Sequence, residues 1–408
     1  MKLLVTIQSH MQAIGDDVFS HHLTYDRFWK RYLSAFDEVV VLSRIKQVEE
    51  VSADCNPVSG PGVRFHPLPD FQGPWQYIKK RKQILSKIQG AMDIADAYIL
   101  RVPGAIETLL WKNLPAGYPY GVEVVVDPWE IFAPGSVKSI GRPYFRYQWT
   151  RDLKMQCRNA AAASYVTEYV LQKRYPPSPD AFKTNYSSIE LDEKSILSDM
   201  QPRIERYSSF NNLSGNNNVK PMVLGFVGSF SQGHKLTDVH IKAFAKCVAR
   251  GDDILLEMIG GGTLLDDMKR LTQKLGVADR VIFRGRISGG KPVMDALDGI
   301  DLFLNATAAE GLPRVVIEAM ARGCPSIGST VAGIPELLSS KFLVPPGDVE
   351  ALSNKISTVV KSPDMMIQAV KDNVEVARKY TCDVLRLRRE AFYNEIRGRT
   401  EKYLTEKK

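Results

Sequence analysis

The chain has 408 residues, a net charge of +8 at pH 7 and a pI near 9.0, with 44% apolar and 25% charged residues. This composition is typical of a soluble globular protein, and the length predicts two domains rather than one. Its apolar runs are too short for a bilayer-spanning helix and its first segment is too short for a secretory signal, so we expect a cytoplasmic protein.

The basic charge favours anionic partners, such as nucleoside diphosphates or a negatively charged membrane surface. No helix-turn-helix, zinc-finger or RNA-recognition pattern is present, so nucleic acid is not an expected partner. The cysteines form no CxxC pair and no cluster with histidines, which predicts reduced thiols and no metal site. These cysteines are Cys55, Cys157, Cys247, Cys324 and Cys382.

The N-terminal half begins with an apolar run at residues 3–7, which predicts a buried first strand. We expect a loop at residues 8–15, which includes Gly15, and then a helix that buries Phe19, Leu23, Phe28 and Trp29. Residues 39–42 predict the second strand. Two further strands are expected at residues 96–100 and 122–126.

A basic segment at residues 75–88 has the periodicity of an amphipathic helix. Residues 79–82 are four consecutive cations, and Ile78, Leu85 and Ile88 fall on one helix face. Such a helix suits an anionic membrane surface. The alternative is a solvated charged face on a packed helix, and the sequence leaves both interpretations open.

Asp127 follows the strand predicted at residues 122–126. It is either a contact for acceptor hydroxyls or the cap of a short helix. Further along, an Asn/Ser/Gly-rich run at residues 211–218 is typical of a linker. We therefore expect an N-terminal domain at 1–205, a linker at 206–219, a C-terminal domain at 220–375 and a helical segment at 376–408 that returns to the first domain.

The C-terminal half alternates strands and helices, which predicts a parallel sheet. The strand at 222–227 leads into a loop that contains Gly228, Ser229 and Lys235. The strand at 254–259 precedes a triple glycine at 260–262, and the strand at 281–283 precedes Arg286. Small residues after a strand allow the backbone to approach a ligand closely.

Residues 302–338 predict a strand, a loop, a helix and a second strand. The loop ends in Glu310 and Gly311, Pro313 suits the start of the helix, and Gly323 its end. Free N–H groups and the positive end of a helix dipole bind phosphate. Glu310 and Glu318 are suited to accept hydrogen bonds from sugar hydroxyls. The alternative, a surface acid and a helix-stabilising acid, is equally compatible with the residues alone.

The sequence EGLP at 310–313, EAMA at 318–321 and GIPE at 333–336 resembles the signature of retaining nucleotide-sugar glycosyltransferases of family four. That family has a Glu, seven residues and a second Glu, matched here by Glu310 and Glu318. The resemblance implies an α/β protein of the GT-B fold, with two Rossmann-like domains and parallel sheets that face a central cleft.

The resemblance also implies residue roles. Lys235 and the backbone at Gly311, Leu312, Pro313 and Arg314 would hold the donor diphosphate. Glu310 would accept from the donor sugar and Glu318 from the ribose. Thr307 would add a phosphate or sugar contact, and the glycine loop at Gly228 would lie against the donor. Glu310 and Lys235 are the candidate catalytic residues, because charge stabilisation is the main requirement.

Two positions depart from the family pattern. Ser229 stands where the family has an arginine, so Arg314, Arg286 or His234 is a candidate to replace that charge. Val126 stands where the family has a histidine before the aspartate. On the acceptor side this leaves Gly15 and Asp127 as candidates.

The function that the resemblance implies is transfer of a hexosyl group, with retention, from a UDP- or GDP-linked sugar to a glycan or lipid-linked acceptor. The expected setting is synthesis of a cell-surface polysaccharide or glycolipid at the inner face of the membrane, with no metal and no cofactor besides the donor. Alternatives are a nucleotide-sugar epimerase of the same fold and a homologue that binds nucleotide sugar without turnover.

Overall fold

The computed structural model describes residues 1–21, 23–52, 55–134, 140–210, 220–231 and 233–407. The chain forms two compact units. The N-terminal unit comprises Met1–Val126, Tyr147–Tyr186 and Arg386–Lys408, and the C-terminal unit comprises Asp127–Arg146 and Ser187–Leu385. Each unit contains a sheet of its own, which confirms the predicted α/β class with two parallel-sheet units.

The sheet of the N-terminal unit has nine strands. In chain order these are β1 (Lys2–Ile14), β2 (Asp17–Ser20), β3 (Glu38–Gln47), β4 (Asn56–Pro57), β5 (Val63–Leu68), β6 (Ala97–Val102), β7 (Gly121–Val124), β8 (Ala162–Tyr165) and β9 (Phe182–Asn185). The parallel strands follow the order β5-β3-β1-β6-β7-β8-β9, while β2 is antiparallel to β1 and β4 is antiparallel to β2. The predicted strands at 39–42, 96–100 and 122–126 correspond to β3, β6 and β7.

The prediction for residues 8–29 is wrong. Strand β1 continues to Ile14 and turns at Gly15, where φ is +59°, into β2, so that Phe19 is a strand residue. The physical reason is a period of two: Met11 and Ala13 are buried and alternate with more exposed polar residues. Trp29 is fully buried, but in a single π-helical turn, Tyr25–Trp29.

The helices of the N-terminal half are α1 (Gly73–Met92), α2 (Ala105–Trp111), α3 (Pro128–Ile131), α4 (Arg142–Asn159) and α5 (Val170–Arg174). Helix α1 confirms the helix predicted at residues 75–88. Its buried positions are Ile84, Ile88 and Ala91, whereas Ile78, predicted to share the apolar face, is 60% exposed. The first half of α1 packs on the unit through Tyr77, whose ring lies 5.4 Å from that of Phe71, while Trp75 and Ile78 are left exposed.

The C-terminal unit has a six-stranded parallel sheet in the order β12-β11-β10-β13-β14-β15. The strands are β10 (Met222–Val227), β11 (Ile254–Ile259), β12 (Val281–Gly285), β13 (Leu302–Asn305), β14 (Ser326–Ser329) and β15 (Leu343–Val344). Most of their apolar side chains are buried, since helices cover both faces of such a sheet, and Ile282 on the edge strand β12 is an exposed exception. In sequence terms the order is 3-2-1-4-5-6, which reverses direction between β10 and β13.

The helices of this half are α6 (Gln201–Ser209), α7 (Thr237–Ala249), α8 (Leu265–Lys274), α9 (Lys291–Asp298), α10 (Arg314–Ala321), α11 (Ile334–Leu337), α12 (Val349–Val360), α13 (Pro363–Arg378) and α14 (Cys382–Glu406). Helix α6 belongs to the C-terminal unit, and most of the predicted linker, 211–219, lies outside the described residues. From Arg386 onward, α14 is part of the N-terminal unit.

Among the helices of the described ranges, none combines the length and apolar character that a bilayer crossing requires.

Candidate functional site

The candidate site lies at the carboxyl edge of the C-terminal sheet, where its strand order reverses between β10 and β13. Ligands of open α/β sheets bind at such a point. The loops that follow the two strands are joined directly. The hydroxyl of Thr307 donates to the carbonyl oxygen of His234 at 2.7 Å, and the N–H of Ala308 donates to the same oxygen at 2.8 Å. Sequence-predicted residues from both loops therefore come together.

Helix α10 begins at this point. Arg314 is its first residue and Pro313 its cap, with φ of −72°, so the proline lies one position before the predicted helical turn. Val316, Ile317, Ala319 and Met320 are buried, and Gly323, with φ of +62°, follows the end of the helix as predicted. No side chain among the described residues caps α10. Its first N–H groups therefore point out of the helix as donors for a ligand.

Lys235 and Glu310 form an ion pair and hydrogen bond across the two loops. Their side chains are only 18% and 14% exposed. A positive charge and a carboxylate are thus held together beside the N-terminus of α10. The sequence places these residues 75 positions apart, and the sheet topology brings them into contact.

The second acid, Glu318, lies on α10 and is partly buried. Burial raises the pKa of its carboxyl, while the nearby Arg314 guanidinium acts in the opposite direction. Arg314 is exposed at the start of the helix. The charged carboxylate of Glu318 is incompletely solvated in this environment. Hydrogen bonds donated by a ligand would therefore stabilise it.

His240 connects helix α7 to the loop after β13, and the sequence did not predict this role. The side chain is fully buried on α7; its Nδ1–H donates to the carbonyl of Leu236 at 2.8 Å, and its Nε2 accepts from the N–H of Ala306 at 3.0 Å. Burial lowers its pKa to about 4, so the ring is neutral at pH 7. The available signal was a histidine between Val239 and Ile241 on an otherwise apolar helix face.

The polar groups of Thr307 form hydrogen bonds within the loops of the site. Besides the bond to His234, its N–H donates to the hydroxyl oxygen of Ser329 at 3.0 Å, and that hydroxyl donates back to the carbonyl of Thr307 at 2.6 Å. The predicted contact of Thr307 with phosphate or sugar stays a prediction. His234 itself has a lowered pKa, because burial and the charge of Lys235 disfavour its protonation.

The turn beside the site needs glycine because two backbone segments approach each other closely there. At Gly260, with φ of +142°, an added Cβ would lie 1.8 Å from the carbonyl oxygen of Gly228. Ser229 accepts a hydrogen bond from the N–H of Ser231 at 3.2 Å. Arg286 is exposed, and its Cγ lies 2.9 Å from a Cβ built at Gly261. Arg286 therefore borders this turn. A cation that supplies the charge missing at Ser229 would have to lie there.

The two acceptor-side candidates are distant from these loops along the chain. Gly15 occupies the β1–β2 hairpin turn, not the loop predicted there. Asp127 is fully buried and caps α3, with its Oδ1 accepting from the N–H of Trp129 at 2.9 Å. Of the two alternatives for Asp127, the helix cap is what the structure contains.

The fold matches solved glycosyltransferases along the whole chain. Sucrose-phosphate synthase from Thermosynechococcus elongatus aligns over 98% of this chain and 100% of its own, with a TM-score of 0.69 and 15% identity. The HepE protein of Anabaena, in complex with UDP-glucose, aligns over 100% of both chains with a TM-score of 0.60 and 15% identity. The protein thus has the GT-B fold.

Sequence comparisons also relate the chain to known glycosyltransferases and to a full-length relative. Residues 221–362 match the family described as glycosyl transferases group 1. Protein CapJ of Staphylococcus aureus is 26% identical over 400 residues, which is 96% of this chain and 94% of that protein. The match over residues 221–362 confirms the family resemblance seen in the sequence. These likenesses support transferase activity.

No group of three His, Cys, Asp or Glu side chains suited to a metal ion occurs among the described residues.

Proposed function

We propose that the protein is a retaining glycosyltransferase that moves a hexosyl group from a UDP- or GDP-linked sugar to a glycan or lipid-linked acceptor. The setting is synthesis of a cell-surface polysaccharide or glycolipid. The observation that carries the proposal is the ion pair of Lys235 and Glu310 beside the uncapped start of α10. It supplies a cation and donor N–H groups for a diphosphate, and a carboxylate for sugar hydroxyls.

Donor binding would redistribute this ion pair. The donor diphosphate, held by the first N–H groups of α10, would draw Lys235 away from Glu310. Glu310 would then be free to accept from hydroxyls of the transferred sugar. As the diphosphate leaves, its growing charge is met by Lys235 and by the helix end, which is electrostatic stabilisation of the transition state. Exposed Arg314 and Arg286 are the cations that would offset the absence of charge at Ser229.

The proposed donor type is supported by the site chemistry and by a structural neighbour. A carboxylate at Glu318, partly buried and without full solvation, suits a ribose diol. HepE was solved with UDP-glucose. We therefore take a nucleoside diphosphate hexose as the donor, with UDP first in order of testing and GDP second.

The acceptor side of the proposal includes an anionic membrane surface. Trp75 and Ile78 of α1 are 78% and 60% exposed, and Lys79, Arg81 and Lys82 beside them are exposed cations. An exposed indole and an aliphatic side chain among cations suit the interface of an anionic bilayer. A lipid-linked acceptor at the inner face of the membrane would then meet the enzyme there.

The purified protein, incubated with each labelled nucleotide sugar and a membrane extract as acceptor source, tests the proposal. The expected result is release of the nucleoside diphosphate together with a glycosylated product, and proton NMR of that product should give the same anomeric configuration as the donor. An inverted product would contradict the retaining mechanism.

Two other outcomes would replace the proposal. A sugar changed in configuration at a ring carbon, with no transfer, would indicate a nucleotide-sugar epimerase. Tight donor binding without release, in the presence of acceptor, would indicate a binding homologue, for which Ser229 is the sequence feature in favour. The Lys235→Met variant is a control: it should lose donor turnover in the transferase case.

A further inference from the structure

The N-terminal unit contains a cavity of about 810 Å³ at the edge of its sheet where β7 and β8 begin. The wall is built from the end of α2 and the loop that follows it, the end of α4, and the last turns of α14. All of these segments belong to the N-terminal unit, whereas the residues proposed to hold the donor belong to the C-terminal unit. The donor site therefore does not account for this cavity.

The charge of the cavity wall is mainly positive. Arg399 is held by the carboxylate of Glu395 at 2.6 Å, but Lys402 comes no nearer than 3.8 Å to its acid, Glu406. Arg158 is exposed and has no ion pair or hydrogen-bond partner among the described residues. The four cations that line the cavity, against the single acid Glu406, are Lys112, Arg158, Arg399 and Lys402. Anions are therefore attracted to this wall, and Arg158 and Lys402 are the cations most available to bind them.

Aromatic rings form the other part of the wall. Trp111, Tyr118 and Tyr403 are partly buried, and the rings of Tyr118 and Tyr403 are 4.7 Å apart. The hydroxyl of Tyr118 donates to the carbonyl of Asp96. That bond anchors Tyr118, whose ring also contacts that of Tyr98 at 5.2 Å, and the ammonium of Lys407 lies 4.7 Å from the centre of the Tyr403 ring. The cavity is therefore lined by part of this aromatic surface together with Trp111. Flat aromatic faces pack against the C–H faces of sugar rings, while cations bind the charged groups that such rings carry.

We propose that this cavity binds an acidic glycan, a chain of sugar rings that bears carboxylate or phosphate groups. Its volume lies within the roughly 300–1,000 Å³ of small-molecule sites. Because the cavity opens to solvent, the ligand can be a segment of a longer chain. The inference rests on the proposed function only in that the glycan would be an acceptor or product of the transferase, held at a second place away from the transfer site.

Isothermal titration of the full chain with tetragalacturonate, and with maltotetraose as the neutral probe of the same length, tests this site. We expect tetragalacturonate to bind at least tenfold more tightly than maltotetraose. The double variant Arg158→Ala and Lys402→Ala should weaken tetragalacturonate binding at least tenfold. The matched control is Lys46→Ala and Lys87→Ala, two exposed cations of the same unit outside the cavity, and it should change binding less than twofold.

Three results would overturn the assignment: absence of tetragalacturonate binding, equal loss in both double variants, or displacement of tetragalacturonate by UDP. Indole fluorescence gives a local readout, since the change on adding tetragalacturonate should vanish in Trp111→Phe. Titration with UDP is run in parallel and reports on the donor site alone. Absence of binding of both UDP and GDP, with tetragalacturonate binding retained, would contradict the proposed transferase and leave this site standing.

Discussion

At the scale of single residues, the site depends on side chains whose charge is set by burial. Glu310 is paired with Lys235, whereas burial raises the pKa of Glu318 despite the opposing charge of the nearby Arg314. His240 is neutral and bridges α7 to the loop after β13. The site thus combines a paired carboxylate at Glu310, a partly desolvated carboxylate at Glu318 and a neutral imidazole at His240.

Glu318→Ala should weaken binding of the free nucleoside diphosphate by about 1–3 kcal/mol, because the ribose hydroxyls lose a charged acceptor. Isothermal titration with UDP and with GDP measures this loss. The control is Asp266→Ala, which removes an exposed acid of the same unit on α8. An affinity that is unchanged in Glu318→Ala would show that this acid does not contact the nucleotide.

The stability of the C-terminal unit should depend on pH through His240. Its pKa in the folded protein is about 4, below the ordinary value of 6.5. Between these values the unfolded chain takes up a proton that the folded protein does not. The free energy of unfolding is therefore full at neutral pH and falls by roughly 3 kcal/mol as the pH decreases through this window.

Thermal unfolding of the wild type and of His240→Gln, followed from pH 7 to pH 4, measures this contribution of His240. The glutamine amide keeps one donor and one acceptor but does not titrate, so the variant should lose stability less steeply over this pH range. Parallel curves for the two proteins would mean that protonation of His240 is not what destabilises the fold at low pH.

At the scale of secondary-structure elements, α1 is divided along its length. Its second half packs through Ile84 and Ile88, while its first half exposes Trp75 and Ile78 among cations. All charged residues of this helix are basic. Packing within the unit therefore explains the second half of α1 and Tyr77 in the first half, but not the exposed Trp75 and Ile78.

We predict that the double variant Trp75→Ala and Ile78→Ala reduces sedimentation with vesicles that contain phosphatidylglycerol at least fivefold. The physical reason is the loss of apolar area buried at the interface, about 25 cal/mol per Å². Ile282→Ala, which removes another exposed aliphatic side chain (44% exposed), is the control. Equal binding of all three proteins, or equal binding to vesicles of phosphatidylcholine alone, would contradict a role for α1 at an anionic surface.

At the scale of the whole molecule, the end of the chain completes the first unit. Phe392, Tyr393 and Ile396 of α14 are fully buried, and the rings of Tyr393 and Tyr32 lie 4.8 Å apart. A Cβ at Gly121, at the start of β7, would lie 2.8 Å from the ring of Phe392. The N-terminal unit is therefore built from segments at both ends of the chain, and its core is complete only after the last helix is made.

Phe392→Ala should lower the free energy of unfolding of the N-terminal unit by about 3–5 kcal/mol, because it leaves a cavity between α14 and the sheet. Denaturant unfolding measures the loss, and UDP titration of the folded variant should be unchanged. Leu387→Ala, on the same helix but 62% exposed, should stay within about 0.5 kcal/mol of the wild type. Similar losses in both variants would show that burial of Phe392 is not the cause.

The sequence alone was sufficient for the alternation of strands and helices, the parallel sheet after residue 222 and the strand–loop–helix around Glu310. Apolar runs and turn residues act locally and leave a readable pattern. It was insufficient for residues 8–29, because the mainly polar second half of β1 and a short π-helical turn produce no clear helical or apolar run. The contribution of His240 was not predicted either, since one of its two backbone partners, the N–H of Ala306, lies 66 residues away in sequence.

Local chemistry in the sequence determined which residues can serve a donor: a helix start after Pro313, two acids eight positions apart, and a lysine in a small-residue loop. Only the tertiary structure decided that Lys235 pairs with Glu310 and that α14 fills the N-terminal core. The physical reason is that strand order, not distance along the chain, determines which loops meet. The strand order is in turn determined by the burial of the apolar faces of each sheet.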